Sequence, residues 1–183
     1  MLAVGQWREA ADAGRPFTQE LATVKALAAG QNIAIADDQD LISHAATGVP
    51  TLPQLRETFD RTADEVVRAG EVPDGLSGWL ERTISRVFSI VTIRRADGMV
   101  DGNTPSAILA RAGMRLRTGD LPEAVSEMAG LEGRAAAAAA KWLDAARARL
   151  AIDTAIADAT AKALAAIGEE GKASTSTLPT SAK

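Results

Sequence analysis

The residue best suited to catalysis is His44, the only histidine in the chain. An imidazole that acts as a general base needs a carboxylate to orient it and a nucleophile or a metal to act on. Asp37, Asp38 and Asp40 lie close to it in sequence, but their spacing is typical of the solvated first turn of a helix. We therefore interpret His44 as a structural residue near a helix end, where a cation favours the helix dipole.

The other polar clusters do not match a catalytic or metal-binding pattern either. Residues 97–103 contain two aspartates and two glycines, but they lack the alternating ligands and the closing glutamate of a calcium loop. Glu123 and Glu127 lie one helical turn apart, as many surface acids do. The absence of cysteine excludes disulfides, thiolate zinc sites and cysteine nucleophiles. The sequence thus predicts no catalytic, cofactor-binding or metal-binding residue, and no enzyme.

Residues 76–95 carry the clearest pattern for binding, because apolar side chains recur there every three or four residues. Such spacing places them on one continuous face of a helix, with arginines on the opposite face and at the end. A helix of this kind suits a bilayer interface, where each basic residue near an anionic surface adds about 1 kcal/mol. The same face could instead pack against a helix predicted at 51–69, and both readings stay open. The residues expected to bind membrane are Trp79, Arg82, Arg86, Phe88, Arg94 and Arg95.

The composition favours a globular protein with an aliphatic core. The 183 residues are 46% hydrophobic but only 3% aromatic, so Leu, Ile, Val and Ala must fill the interior. A net charge of −4 argues against a general nucleic-acid binder, whose affinity comes from phosphate neutralisation. No apolar run approaches the roughly 20 residues of a transmembrane helix, and no signal-peptide core is visible. We expect either a cytosolic protein or a chain that follows a membrane anchor.

Helical periodicity predicts an all-α fold, namely a helical bundle with a closing helical hairpin and one long C-terminal helix. In the hairpin, Thr104 caps a helix that runs to Thr118, Gly119 ends it, and Asp120 caps the next helix. The long helix is predicted over residues 134–167. The predicted divisions are an N-terminal helical part at 1–75, the amphipathic helix at 76–95, the hairpin at 104–167 and a disordered tail at 168–183.

The long helix also predicts self-association, because it exceeds the expected size of its own domain. Apolar residues along it would form a ridge that the chain leaves partly uncovered, and a symmetric helix-on-helix dimer would cover that ridge. The candidate residues are Leu143, Leu150, Ile156 and Leu164.

The order of these features resembles the C-terminal signature region of the mitofilin family, in its bacterial, alphaproteobacterial-type branch. An amphipathic segment ends at Arg94-Arg95, and the capped helix at 104–118 leads into Gly-Asp-Leu at 119–121. Trp142-Leu143 and the alternating Ala and Arg residues at 146–149 lie in the final helix. The chain departs from eukaryotic members at 129–133, which reads Ala-Gly-Leu-Glu-Gly where they carry a stretch similar to Asn-Gln-Leu-Lys-Gly.

The resemblance implies a non-enzymatic scaffold that remodels the inner membrane, organises cristae-type membrane and builds contact sites. It implies anionic membrane lipids as partners of the amphipathic helix, a homo-oligomer, and possible outer-membrane or contact-site proteins as further partners. The implied location is the periplasmic face of the bacterial inner membrane, or the intermembrane space of mitochondria. The alternative is a soluble, TPR-like helical adaptor that binds a protein segment without direct lipid contact.

Overall fold

The computed structural model describes residues 1–31, 33, 35, 39–70 and 102–176, and within these ranges it contains helices and no strand. The prediction of an all-α fold with a closing hairpin and a long C-terminal helix is confirmed. The helices are α1 (Leu2–Asp12), α2 (Thr18–Gly30), α3 (Gln39–Thr47), α4 (Leu52–Gly70), α5 (Pro105–Thr118), α6 (Leu121–Met128) and α7 (Gly133–Ser176).

The chain divides into two compact units. Unit 1 comprises Met1–Thr51 and Ala148–Lys183, and unit 2 comprises Leu52–Arg147. Helix α7 therefore contributes its first turns to unit 2 and the rest to unit 1. This division groups α4 with the hairpin, whereas the sequence pattern suggested a boundary near residue 75.

The core of unit 1 is built on two aromatic side chains, Trp7 of α1 and Phe17 at the start of α2. Both are fully buried, and their ring centroids lie 6.1 Å apart. Aliphatic residues of α2, α3 and α7 surround them, which gives each of these helices one buried face. The main aliphatic members are Leu21, Val24, Leu41, Val49, Ile152 and Ile156.

The turn after α3 packs closely against the turn between α1 and α2. Gly48 adopts a φ of +78°, and a Cβ atom on it would lie 2.6 Å from the backbone oxygen of Gly14. The amide of Phe17 donates to the backbone oxygen of Ala45 at 2.8 Å, and the Thr18 hydroxyl donates to the same oxygen at 3.0 Å. Only glycine fits position 48 without strain, because both its φ and its surroundings exclude a side chain.

Arg149 of α7 binds the C-terminal end of α1 within unit 1. Its side chain is only 11% exposed and donates from Nη1 to the backbone oxygen of Ala11 at 3.0 Å. It also donates to the carboxylates of Asp12 and Asp153. Burial alone would lower the pKa of Arg149, but the hydrogen bonds and charges of Asp153 and Asp12 outweigh it and raise the pKa. The guanidinium thus stays charged while it satisfies a helix terminus.

Helix α7 is longer than the sequence predicted, since it continues past Ile167 to Ser176. Gly168 directly follows the predicted end at Ile167, but it lies inside the helix. A single glycine costs a helix only about 1 kcal/mol relative to alanine, and the alanine-rich sequence before it propagates the helix strongly. The predicted tail therefore begins with helical residues, and its part beyond 176 lies outside the described residues.

Candidate functional site

Both ends of α5 and the start of α6 are capped locally, as the sequence predicted. The Thr104 hydroxyl accepts from the amide of Ala107 at 3.3 Å, and Pro105 occupies the first turn. Gly119 ends α5 with a φ of +88°, and the amide of Asp120 donates back to Arg115 at 2.9 Å. The Asp120 carboxylate then caps α6 by accepting from the amide of Glu123 at 3.3 Å. These caps fix the angle between the two helices.

Helix α4 lies antiparallel to α5, and an arginine joins their ends. Arg56 Nε donates to the backbone oxygen of Leu116 at 2.7 Å, in the last turn of α5. Further along α4, the Phe59 ring touches the backbone at Gly113, where a Cβ atom would lie 3.2 Å from it. At the far end of α4, a Cβ atom on Gly70 would lie 3.0 Å from Cγ of Pro105. The register of α4 on α5 is therefore set from one end to the other.

Trp142 of α7 closes the core of unit 2. Its side chain is 4% exposed and makes an edge-to-face contact with the Phe59 ring, with ring centroids 5.4 Å apart. Its Nε1 donates to the backbone oxygen of Leu55 at 3.0 Å. Trp142 thus joins α7 to α4, and helical periodicity alone did not indicate these contacts.

An open groove of about 650 Å³ lies where the start of α5 meets the end of α6. Ile108 and Leu131 are buried beneath it, and Arg111 and Glu127 lie on its wall. Arg111 Nε donates to Glu127 Oε2 at 2.7 Å, and these two side chains are 28% and 22% exposed. Arg111 Nη1 donates to the backbone oxygen of Gly102 at 2.9 Å. The Arg111 guanidinium therefore links α5 to α6 and to the backbone that precedes α5.

The six residues predicted to bind membrane lie at 79–95, outside the described residues, as does most of the loop at 97–103. The described chain leaves off at Gly70 and resumes at Gly102. Gly70 packs against Pro105 at the start of α5. Gly102 precedes the helix, and its backbone oxygen accepts from Arg111 Nη1. Gly70 and Gly102 are the described residues that flank the amphipathic segment in sequence.

The four residues predicted to mediate self-association do not form one ridge. Leu143 and Ile156 are 6% and 1% exposed, and they are buried in unit 2 and unit 1 respectively. Leu150 is half-buried, and Leu164 is 55% exposed. Ile167, which is not among the predicted residues, is 51% exposed and lies one turn after Leu164.

His44 lies in the last turn of α3 and is partly exposed. In the part of the chain that the structure describes, no three His, Cys, Asp or Glu side chains come together as metal ligands would. Within the same part, none of the helices combines the length and the apolar character that crossing a bilayer requires.

Comparison with known proteins identifies the family. The model of the family described as "Mitofilin: Mitochondrial inner membrane protein" matches residues 3–162. The MICOS complex subunit MIC60 of Ajellomyces capsulatus is 36% identical over 143 residues, which are 77% of this chain and 21% of that protein. The probable magnetosome protein Mms36 of Magnetospirillum gryphiswaldense is 35% identical over 166 residues, which are 90% of this chain and 46% of that protein.

The chain therefore spans between about a fifth and a half of the length of these relatives. No solved structure matches it. The family model covers most of the chain, from the second residue of α1 to residue 162 in α7. On this evidence the chain belongs to the mitofilin family.

Proposed function

We propose that this chain works as a non-enzymatic scaffold that remodels an inner membrane and organises contact sites. The observation that carries the proposal is the mitofilin match over residues 3–162, in a family described by its place in the mitochondrial inner membrane. The relative named as a MICOS complex subunit supports a role within an assembly. The absence of a catalytic constellation in the sequence is consistent with a scaffold.

Lipid contact is assigned in this proposal to the amphipathic segment at 76–95. Trp79 and Phe88 would insert among acyl chains, and Arg82, Arg86 and the Arg94-Arg95 pair would bind anionic head groups. What supports this assignment is the unbroken apolar face in the sequence.

The decisive experiment is co-sedimentation with anionic vesicles. We expect the parent chain to sediment with them and to lose binding as salt rises, since the Debye length falls from about 10 Å at 0.1 M to 3 Å at 1 M. Replacing Arg82 and Arg86 with Glu should abolish binding while the helical content is kept. Replacing Phe88 with Asp should weaken it as well.

The matched control replaces Arg8 and Arg61 with Glu, because both are exposed and the change in net charge is the same. This control should sediment as the parent does. If the Arg82 and Arg86 variant also sediments as the parent does, the lipid site is wrong. If the parent binds no vesicles at all, the adaptor function becomes the better one, with the groove between α5 and α6 as the place for a protein segment.

Self-association is the second part of the proposal, and the exposed end of α7 supports it. Leu164 and Ile167 lie three residues apart on one face, beyond Ala159, the last core residue of unit 1. A second copy that packs on this face would cover both side chains. Light scattering at high micromolar concentration should show an oligomer, and replacing both residues with Glu should give monomer. Replacing the exposed Leu27 and Met114 with Glu is the control, and it should leave the oligomer intact.

The proposed location is the periplasmic face of a bacterial inner membrane, or the intermembrane space in a mitochondrion. The family description and the MICOS relative support an inner membrane as the site of action. Protease treatment of spheroplasts distinguishes the two sides of the bacterial membrane. A periplasmic protein is digested in intact spheroplasts, whereas a cytosolic one is digested only after lysis.

A further inference from the structure

Helix α5 differs in charge from the other helices that carry arginine. It contains three arginines and no acidic residue, in a chain whose net charge is −4. Helix α4, which packs beside it, also contains three arginines, but four acidic residues alternate with them. Helices α1 and α7 likewise combine basic and acidic residues. In unit 2, the positive charge that no acid on the same helix balances therefore lies on α5.

The exposed face of α5 places an apolar side chain between two of these arginines. Because successive residues of a helix are about 100° apart, Arg115 lies to one side of Met114, and Arg117 lies to the other. The Met114 side chain is 46% exposed, and the Arg115 side chain is 50% exposed. The remaining exposed residues of this face are small or uncharged, namely Ser106, Ala110 and Thr118.

A third guanidinium joins this face from α4. Arg56 donates from Nε to the Leu116 oxygen at 2.7 Å, and its Nη2 lies 3.8 Å from the Cβ position of Gly119. Nη2 of Arg117 lies 4.0 Å from the Cβ position of Gly113. Gly113 and Gly119 are six residues apart, which is about 9 Å of helix. The cations are thus concentrated on the last two turns of α5.

The contacts within the chain leave two of these cations largely uncommitted. A helix dipole favours cations in the last turn, but Arg56 already binds the terminal carbonyls. Arg115 lies 3.8 Å from the carboxylate of Asp120, which also caps α6. Arg117 makes no ion pair within the part of the chain that the structure describes. Arg115 and Arg117 can therefore bind an anion that comes from outside the chain.

We propose that Arg56, Met114, Arg115 and Arg117, the arginine face, form a second contact with anionic lipid head groups. This inference rests on the proposed role of the chain at a membrane. Guanidinium groups match the geometry of phosphate oxygens, and an exposed thioether between them suits the boundary between head groups and acyl chains. The net charge of −4 disfavours nucleic acid as the source of the phosphates.

The arginine face strengthens membrane binding without sustaining it alone. Three cations near an anionic surface give only weak attraction, which salt screens. Once another part of the chain is bound to the same membrane, however, the second contact forms at a high effective concentration. The arginine face then raises the affinity of the whole chain, while loss of the contact at 76–95 still abolishes sedimentation.

The first test removes charge from the arginine face of the full chain. Arg115→Gln with Arg117→Gln should weaken binding to anionic vesicles by about tenfold, because each basic residue near such a surface contributes about fivefold. The melting temperature should stay unchanged, since both side chains are exposed.

The matched control is Arg61→Gln with Arg68→Gln, which removes the same charge from exposed positions of α4. This control should bind vesicles as the parent does. Equal losses in the two double variants would overturn the proposal, because net charge rather than the arginine face would then decide binding. Parental binding by the Arg115 and Arg117 variant would overturn it as well.

The second test reports on contact directly. The chain has no cysteine, so Met114→Cys gives one site for an environment-sensitive fluorophore. Its emission should shift to the blue with anionic vesicles and stay unchanged with neutral ones. Leu27→Cys, at an exposed apolar residue of unit 1, is the control and should not respond.

The outcomes separate the arginine face from the segment at 76–95. If the labelled chain sediments with vesicles but position 114 stays in water, the arginine face is wrong and the other lipid contact stands. If position 114 responds while the Arg82 and Arg86 variant sediments as the parent does, the assignment of 76–95 is wrong instead. A chain that binds no vesicles overturns both. A response to soluble poly-glutamate but not to vesicles would overturn lipid as the partner and identify an acidic protein segment.

Discussion

The two units of this chain are built on the same pattern and differ in how completely their polar groups are satisfied. Each packs one tryptophan against one phenylalanine, Trp7 with Phe17 in unit 1 and Trp142 with Phe59 in unit 2. Trp142 Nε1 donates to the Leu55 oxygen at 3.0 Å, whereas Trp7 Nε1 is buried and has no partner among the residues that the structure describes.

This difference separates two uses of a buried indole. In unit 1 the ring acts through its area and shape, and the polar atom adds a desolvation cost. In unit 2 the same ring also makes a directional bond to an oxygen inside α4, which fixes the rotation and register of α7 on α4. Unit 2 is therefore the unit in which a hydrogen bond orients the buried indole.

Each unit also uses one arginine to bind the last carbonyls of a helix. Arg149 binds the end of α1 and is flanked by Asp12 and Asp153. Arg56 binds the end of α5 through the oxygens of Leu116 and Arg117, at 2.7 Å and 3.4 Å. Arg149 is 11% exposed and Arg56 is exposed, so the two contacts should differ in strength.

The largest effects should come from removing the aromatic pairs. Trp142→Ala and Trp7→Ala should each lower the free energy of unfolding by about 3–5 kcal/mol, because each leaves a cavity in a buried core. Urea unfolding followed by circular dichroism measures the loss. Hydrogen exchange should place it in α4 and α5 for Trp142, and in α1 and α2 for Trp7. Loss in the opposite unit would contradict the division into units.

Replacing the arginines should give the next largest loss in the free energy of unfolding, and the loss should be larger in unit 1 than in unit 2. Arg149→Met should cost about 2 kcal/mol, because it removes charge-assisted hydrogen bonds from a nearly buried position. Arg56→Met should cost about 1 kcal/mol or less, since water can replace the guanidinium at an exposed helix end. Arg147→Met, at a side chain that is 55% exposed, is the control and should be neutral. Equal costs for Arg149 and Arg56 would show that burial does not decide their strength.

The parts of the fold that were predictable are the local ones. The helix caps at Thr104, Gly119 and Asp120 were predictable, because capping depends on residues within one turn of each other. The continuation of α7 from Ile167 to Ser176 was not predicted, although a long helix tolerates one glycine such as Gly168.

The contacts that were not predictable join arginine side chains to backbone oxygens outside their own helices. Arg56, Arg111 and Arg149 each bind a backbone oxygen, and every residue offers such an oxygen, so no sequence pattern marks the partner. The ridge predicted on α7 was not found as one surface for a related reason. Periodicity shows that Leu143 and Ile156 share the character of core residues, but not that two different units bury them. The membrane-contact residues stay a prediction.

The smallest effect is the sharpest test of the comparison between the two tryptophans. Trp142→Phe and Trp7→Phe remove similar volumes, so their cavity costs are similar and the difference between them isolates the indole N–H. Trp142→Phe also removes the hydrogen bond to Leu55 and should be more destabilising by about 1 kcal/mol. Trp7→Phe loses no bond and removes a buried donor without a described partner, which offsets part of its cavity cost. Paired urea titrations of the two variants measure this difference directly. Equal losses, or a larger loss for Trp7→Phe, would mean that Trp7 Nε1 has an acceptor, and the contrast between a directional and a purely apolar indole would then disappear.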